Sequence, residues 1–158
     1  MWVTPSQSMF RGATKVTVDD KGRVVVPTRH RALLAARSEG RLVVTADRDK
    51  CLLIYPAPDW EQIEQQVMSL PSLHPRSYEL QHMLVGRASE MEIDGHGRIA
   101  LSTELREFVG LERAAMLIGQ GKRLELWDEV RWNEHCAQWA KTPLTATDLP
   151  PQFSALNL

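Results

Sequence analysis

Charged side chains surround a glycine at two places in the chain, with the same spacing at both. The first stretch is VDDKGRVVVP, Val18 to Pro27, and the second is IDGHGRIALS, Ile93 to Ser102. In each stretch an arginine follows an aspartate by four positions, and a glycine directly precedes the arginine. Arginine attracts phosphate, and on a narrow β element it can reach base edges in the major groove of DNA. Taken alone, an ion pair that only fixes the turn explains the pattern more simply.

The two stretches belong to an internal repeat with an offset of 75 residues. The identical pairs between the copies are Ala13/Ala88, Asp19/Asp94, Gly22/Gly97, Arg23/Arg98, Thr28/Thr103 and Arg31/Arg106. Apolar positions are shared as well, and they alternate with others: Val16/Met91, Val18/Ile93, Val24/Ile99 and Val26/Leu101. Alternation is typical of half-buried strands, and a glycine in a tight turn can adopt a positive φ. Each copy is therefore predicted to form a strand, a tight turn, a second strand and a short helix.

Further along, each copy has two apolar runs separated by a polar turn, followed by a helical pattern. The paired runs, RLVVTADRDKCLLIYP and AAMLIGQGKRLELWD, predict hairpins. A segment between the copies, PRSYELQHMLVGR, predicts one more helix. In the helices after the hairpins, apolar residues recur on one face that is expected to be packed: Trp60, Ile63, Val67 and Leu70 in the first copy, and Trp132, Cys136 and Trp139 in the second.

These elements predict a mainly β chain with short helices, of the α+β class, built as two tandem domains. The predicted divisions are a flexible extension at 1–8, a first domain with its following helix at 9–70, a linker helix at 71–84, a second domain with its helix at 85–141, and a tail at 142–158.

Composition narrows the classes of function. The 158 residues are 43% hydrophobic and 25% charged, as in soluble globular proteins. Cys51 and Cys136 stand far apart, no apolar run could cross a bilayer, and MWVTPSQS lacks the features of a secretion signal, so a cytoplasmic location is predicted. The five histidines are scattered without metal-ligand or acid–base spacing. We therefore expect no enzyme activity, no metal, no cofactor and no small-molecule ligand.

The local distribution of charge separates the two copies, although the net charge of the whole chain is only −1. From position 11 to 31 there are six basic and two acidic residues, whereas positions 86 to 106 hold three basic and four acidic residues. The first copy is therefore the better candidate for binding a polyanion. One arm of this charge would bind weakly, so several arms presented along one duplex by an oligomer are expected.

The repeat and its flanking residues closely resemble the bacterial MraZ family. The resemblance is carried by two D-x-x-x-R turns and by MFRGATKVTVDDKGRVVVPTRHR, CLLIYP, GRASEMEIDGHGRI and LIGQGKRLELWDE, and it extends from Met9 to about Trp139. It implies two AbrB-like swapped-hairpin β-barrel domains, related by a pseudo-twofold repeat, in a ring-shaped homo-oligomer. It also implies a transcriptional regulator, expected to repress, of the division and cell wall gene cluster and its own promoter. The partner would be double-stranded DNA with repeated short boxes, bound in the cytoplasm at the nucleoid.

Residue roles follow from matching the two motifs. Arg23 is expected to contact DNA, with Lys21 beside it, while Arg98 of the second motif is expected either to contact DNA or to hold the ring together. Basic residues near the first motif are secondary DNA-binding candidates on grounds of charge: Arg11, Lys15, Arg29 and Arg31. Four residues are expected to order the turns: Asp19, Gly22, Asp94 and Gly97.

A protein-binding role is the alternative, since AbrB-like domains also occur in antitoxins that bind a toxin protein. Such chains usually carry one domain and a long disordered segment that wraps the toxin. Here two repeats fill most of the chain and the segment after them is short. The tryptophans are expected in the core or at a subunit interface and not in a ligand pocket.

Overall fold

The fold comes from a computed structural model that describes residues 9–48, 50–143 and 148–157. The extension predicted at 1–8 and positions 144–147 of the predicted tail lie outside the described residues. The first copy contains β1 (Phe10–Thr17), β2 (Arg23–Val25), α1 (Thr28–Ser38), β3 (Arg41–Ala46), β4 (Leu52–Pro56) and α2 (Ala57–Met68). After α3 (Pro75–Leu84), the second copy contains β5 (Ser89–Glu92), β6 (Arg98–Ala100), α4 (Thr103–Val109), β7 (Ala114–Gly121), β8 (Arg123–Asp128) and α5 (Glu129–Lys141), and a 3₁₀ helix follows at Pro151–Ala155.

The strands of the two copies alternate within shared sheets. A six-stranded antiparallel sheet has the order β1-β7-β8-β4-β3-β5, and β2 pairs with β6 in a separate two-stranded ribbon. Exchanging each strand for its counterpart in the other copy leaves this order unchanged apart from direction. The first strand of each copy therefore pairs with the hairpin of the other copy, as in a swapped pair of repeats.

The strands predicted on either side of Gly22 form, and their main partners are strands of the other copy. The flanking strands meet only at an isolated bridge between Val18 and Val24. The backbone N–H of Val18 donates to the carbonyl of Arg113 at 2.8 Å, and β1 then pairs along its whole length with β7. The main backbone partner of β2 is therefore β6 of the other copy, through the register Arg23–Val25 against Arg98–Ala100.

The alternating valines predicted to face the core do so. Val24, Val26, Ile99 and Leu101 are buried, as are Val16 and Val18, in one cluster with residues of the β3–β4 and β7–β8 hairpins. Both of these hairpins form as predicted, with Tyr55 and Trp127 buried in a second cluster on the other side of the sheet. Residues from both copies contribute to both clusters, so neither copy buries its apolar residues alone.

Local sequence sets the ends of several helices. Ser102 caps α4, since its hydroxyl accepts a hydrogen bond from the N–H of Leu105 at 3.2 Å, and Gly110 ends that helix with a positive φ. Pro27 closes β2 and directly precedes α1. In the part of the chain that the structure describes, none of the helices is long and apolar enough to span a membrane.

The apolar faces of α2 and α5 have different environments, although the sequence predicted both to be packed. Trp60 and Val67 of α2 are buried, and α3 lies against this helix through a hydrogen bond from Gln81 Nε2 to the carbonyl of Val67 at 3.1 Å. No residue of α5 is buried, and Trp139 is 58% exposed. Within the described residues, no helix packs on α5 as α3 packs on α2.

Candidate nucleic-acid interface

The first charged turn is ordered by its aspartate. Asp19 Oδ1 accepts hydrogen bonds from the backbone N–H groups of Lys21 at 2.9 Å and Arg23 at 2.8 Å. Its second carboxylate oxygen accepts from Arg23 Nε at 2.8 Å. The hydrogen bond from the backbone of Arg23 is the main cause that lowers the pKa of Asp19 below its usual value. Asp19 therefore stays ionised and holds the side chain of Arg23 at the end of the turn where β2 begins.

The second turn repeats this arrangement. Asp94 Oδ1 accepts from the backbone N–H groups of His96 at 2.8 Å and Arg98 at 2.9 Å, and Oδ2 accepts from Arg98 Nε at 2.9 Å. These bonds, led by the one from the Arg98 backbone, lower the pKa of Asp94 to about 2. The ion pair that the sequence suggested is thus present at both turns. Each aspartate contacts only Nε of its arginine. Among the described residues, the terminal amino groups of Arg23 and Arg98 have no hydrogen-bond or ion-pair partner.

The β2–β6 ribbon brings the two motif arginines to one surface. In its register Arg23 lies opposite Ala100, Val24 opposite Ile99 and Val25 opposite Arg98. Val24 and Ile99 point into the core, so their neighbours along each strand point outward. The outer face of the ribbon is therefore formed by four side chains, two of them arginines: Arg23, Val25, Arg98 and Ala100.

Two further arginines each lie against the turn of the other copy. Arg31 of α1 lies over Gly97, and Arg106 of α4 lies over Gly22, so that a Cβ atom at either glycine would overlap a guanidinium group. Both glycines have positive φ, 77° at Gly22 and 76° at Gly97. Arg31 also donates to Thr28 Oγ1 at 2.9 Å, as Arg106 does to Thr103 Oγ1 at 3.1 Å.

A family model described as "MraZ protein, putative antitoxin-like" matches residues 9–82 and 84–149. This chain belongs to the MraZ family. The transcriptional regulator MraZ of Nitrosospira multiformis is 52% identical over 125 residues, covering 79% of this chain and 85% of that protein. The transcriptional regulator MraZ of Thioalkalivibrio sulfidiphilus is 49% identical over 133 residues, covering 84% of this chain and 89% of the relative. The protein of that name from Coxiella burnetii strain RSA 493 is 45% identical over 152 residues, covering 95% of this chain and all of the relative.

The swap changes which basic residues surround each turn of this MraZ chain. Arg31, predicted from charge to serve the first motif, lies at the second turn, and Arg106 takes the corresponding place at the first. Arg113 is also brought to the first turn, with Nη1 3.7 Å from Asp20 Oδ1. Neither Arg106 nor Arg113 is among the site residues predicted from the sequence. The identity of Arg31 and Arg106 in the repeat was the available signal for the first, whereas nothing in the sequence marks Arg113.

The remaining basic candidates differ in position and in their contacts. Lys21 is exposed at the tip of the first turn, and within the described residues its ammonium group forms no ion pair. Lys15 Nζ lies 3.1 Å from Glu129 Oε2 at the start of α5. Arg29 donates to the backbone carbonyl of Arg11 and so fastens α1 to β1. Arg11 lies eight residues before Asp19 on an extended strand, at roughly 25 Å from the turn.

The acidic and histidine side chains near the turns are spread out. Over the described ranges, no group of three or more histidine, cysteine, aspartate or glutamate residues is placed to hold a metal ion. The charged residues of the turns are instead arranged as donors beside an ordered carboxylate, which suits recognition of an anion.

Proposed function

We propose that this protein is a sequence-specific DNA-binding transcriptional regulator and that the outer face of the β2–β6 ribbon is its DNA-contacting surface. The main support is the presence of Arg23 and Arg98 together on this face, each held at Nε and with its terminal amino groups available. Its MraZ relatives carry the name transcriptional regulator. A two-stranded ribbon is narrow enough to enter the major groove, where arginine can bind guanine through two hydrogen bonds.

Electrostatics favours the same surface. Lys21 extends from the tip of the first turn, and Arg106 lies beside Gly22 below it. Positive charges at these positions would contact phosphates on either side of the groove, and such contacts set orientation without reading sequence. The carboxylates of Asp19 and Asp94 accept hydrogen bonds within their own turns, which limits the repulsion that they exert on a phosphate.

The proposed targets are promoters of the division and cell wall gene cluster, including the protein's own promoter, with repression as the expected effect. This finer assignment is supported by the family resemblance, and with it we propose a location in the cytoplasm at the nucleoid. No enzymatic activity is proposed.

We further propose that the chain forms a ring-shaped homo-oligomer of barrel-like domains. The aromatic side of α5 supports self-association. Trp139 is 58% exposed and its ring meets that of the partly buried Trp132 edge-on at 5.9 Å, and exposed apolar groups of this kind often mark an interface. A ring needs two different surfaces that meet head to tail, and the two copies offer different surfaces because only α2 is covered by α3. Several ribbons on one ring would then bind adjacent DNA boxes with increased effective concentration.

A gel-shift titration over a salt series tests this proposal, with the DNA upstream of the protein's own coding sequence as the probe. Arg23→Ala and Arg98→Ala are compared with Arg76→Ala, which removes a solvent-exposed arginine of α3 that is paired with Glu79 at 3.0 Å. Wild type and Arg76→Ala should bind with a steep salt dependence, and each ribbon variant should bind at least tenfold more weakly at unchanged oligomeric size. The slope of log K against log salt should fall by about 0.9 for every phosphate that a variant no longer neutralises.

Two results would contradict the proposal. If wild type binds this DNA no better than a scrambled fragment, the protein does not recognise its promoter. If wild type binds specifically and both ribbon variants bind equally well, the DNA-contacting surface lies elsewhere. Capture of a small basic protein partner together with absent DNA binding would favour the antitoxin-type alternative.

A further inference from the structure

Val25 is an exposed apolar residue in an unusual setting. Its neighbours Val24 and Val26 are 1% and 2% exposed, whereas Val25 is 52% exposed on the outer face of the β2–β6 ribbon. A single exposed valine needs no explanation, because much of any protein surface is apolar. The arrangement around it is what points to a partner.

Both motif arginines flank this valine. Arg23 lies two positions earlier on the same strand and the same face, and Arg98 lies directly opposite on β6. Side chains in such positions approach within roughly 5 to 7 Å of each other. The guanidinium groups are held at Nε by Asp19 and Asp94, which fixes where the remaining donors lie relative to the valine methyl groups.

The chemistry of this face matches the edge of a base pair more closely than it matches a protein surface. A protein partner that covered Val25 would also have to desolvate two arginines, each already joined to its own carboxylate. In the major groove, the same arginines meet guanine acceptors or phosphates, and thymine presents the only apolar group among the four bases, its 5-methyl. An apolar side chain between two arginines therefore complements a thymine next to the groups that the arginines bind.

We propose that Val25 contacts the 5-methyl group of a thymine in the major groove and so contributes to the choice of operator sequence. This inference rests on the proposed DNA-binding function of the ribbon. Ala100, its counterpart in the repeat, stands opposite Arg23 and offers one methyl group instead of two. The two halves of the ribbon therefore read their bases with different strength, which makes recognition asymmetric even though the turns are alike.

The test compares two versions of the upstream DNA, one with thymidine and one with deoxyuridine throughout, which lacks the 5-methyl group. Wild type, Val25→Ala and Val25→Thr are measured, with Val130→Ala as a matched control because Val130 is an exposed valine of α5. Wild type should bind the deoxyuridine DNA about fourfold more weakly for each thymine methyl group that it can no longer bury, from the usual effect of burying one such group. Val25→Ala should bind thymidine DNA more weakly by a similar factor, and it should distinguish the two DNAs less than wild type does because its side chain is a single methyl group.

Val25→Thr keeps the branched shape that suits a strand and replaces one methyl group by a hydroxyl, so it should retain only part of the discrimination. Val130→Ala should behave as wild type does. The inference is overturned if wild type binds both DNAs equally, or if Val25→Ala and Val25→Thr remain as sensitive to deoxyuridine as wild type. If wild type binds neither DNA, the proposed function fails as well, whereas specific binding without methyl sensitivity overturns this inference alone.

Discussion

Replacing Gly22 by alanine should destabilise the fold more than the same replacement at Gly97 or Gly40. These three glycines provide a graded series because their φ values are similar, 77° at Gly22, 76° at Gly97 and 83° at Gly40. A Cβ at Gly40 would meet nothing within 4 Å, so Gly40→Ala isolates the conformational cost. That cost is roughly 1–2 kcal/mol, reduced by the lower entropy of the unfolded alanine chain.

Steric overlap adds to this cost at the other two positions. At Gly97 the three atoms nearest to a built Cβ all belong to the side chain of Arg31, which can move at the expense of its hydrogen bond to Thr28. At Gly22 the Cβ would also lie 2.8 Å from the backbone carbonyl of Leu101, which cannot move without disturbing the ribbon. Overpacking of this kind typically costs about 1–3 kcal/mol more. We therefore expect the free energy of unfolding to fall by about 1 kcal/mol for Gly40→Ala and by about 2–4 kcal/mol for Gly22→Ala, with Gly97→Ala between them.

Urea denaturation followed by tryptophan fluorescence measures the three losses of stability, at one fixed protein concentration because association would otherwise shift the midpoint. Gly95→Ala is the control, since Gly95 has neither a positive φ nor an atom within 4 Å of a built Cβ. If Gly22→Ala is no more destabilising than Gly40→Ala, the close contacts around Gly22 do not limit the stability of the fold. Such a result would mean that the backbone at Leu101 can move away from Gly22 without loss of stability.

Three other perturbations have defined outcomes. Burial, aided by the charge of Arg29, lowers the pKa of His30, whose ring nitrogens have no hydrogen-bond partner among the described residues. Stability linked to His30 is therefore fully present above pH 6.5 and falls at lower pH, where the unfolded chain binds a proton that the folded chain does not. His30→Leu should reduce the decrease in urea midpoint between about pH 7.5 and 5.5. The carboxylate of Asp94 should titrate near pH 2 by NMR, so the ordering of the second turn persists above pH 3.8 and is lost as the pH falls through about 2; a titration near 3.8 would contradict the hydrogen bonds described. Trp139→Ser should reduce the oligomeric mass measured by light scattering, whereas Val130→Ser, on the opposite side of α5, should leave it unchanged; equal masses for both variants would exclude this face as the interface.

Much of the fold follows from local patterns, while the pairing of strands does not. The alternation at Val24 and Val26 predicts which side chains are buried, because period-two patterns fix the face of a strand. It contains no information about which edge meets which partner. The same apolar positions fit a hairpin folded on itself or a ribbon shared between copies. The structure has the shared ribbon, which hydrogen bonds from Val26 to Gly97 and from Leu101 to Gly22 extend at its ends.

The helices illustrate a related limit. The spacing of Trp60 and Val67 in α2 resembles that of Trp132 and Trp139 in α5, so periodicity predicts a packed face for both. The outcome differs because α3 follows the first copy and covers α2. Burial of an amphipathic face depends on a partner, and the sequence of a helix does not state whether that partner is present in the same chain.

The distribution of charge in space also changes the interpretation of the second motif. The acidic residues that lowered the charge of the second copy are directed to other contacts: Glu104 lies 3.6 Å from Arg87, and Glu90 and Glu92 line a cleft with Arg41 and residues of α2. Arg98 shares the outer face of the ribbon with Arg23, and Arg31 supports its turn from the other copy. A count of charges along the sequence treats the two motifs as separate surfaces, whereas the exchange of strands between the copies brings both motifs onto one ribbon. DNA binding should therefore be measured for the ribbon as a whole and not for either turn by itself.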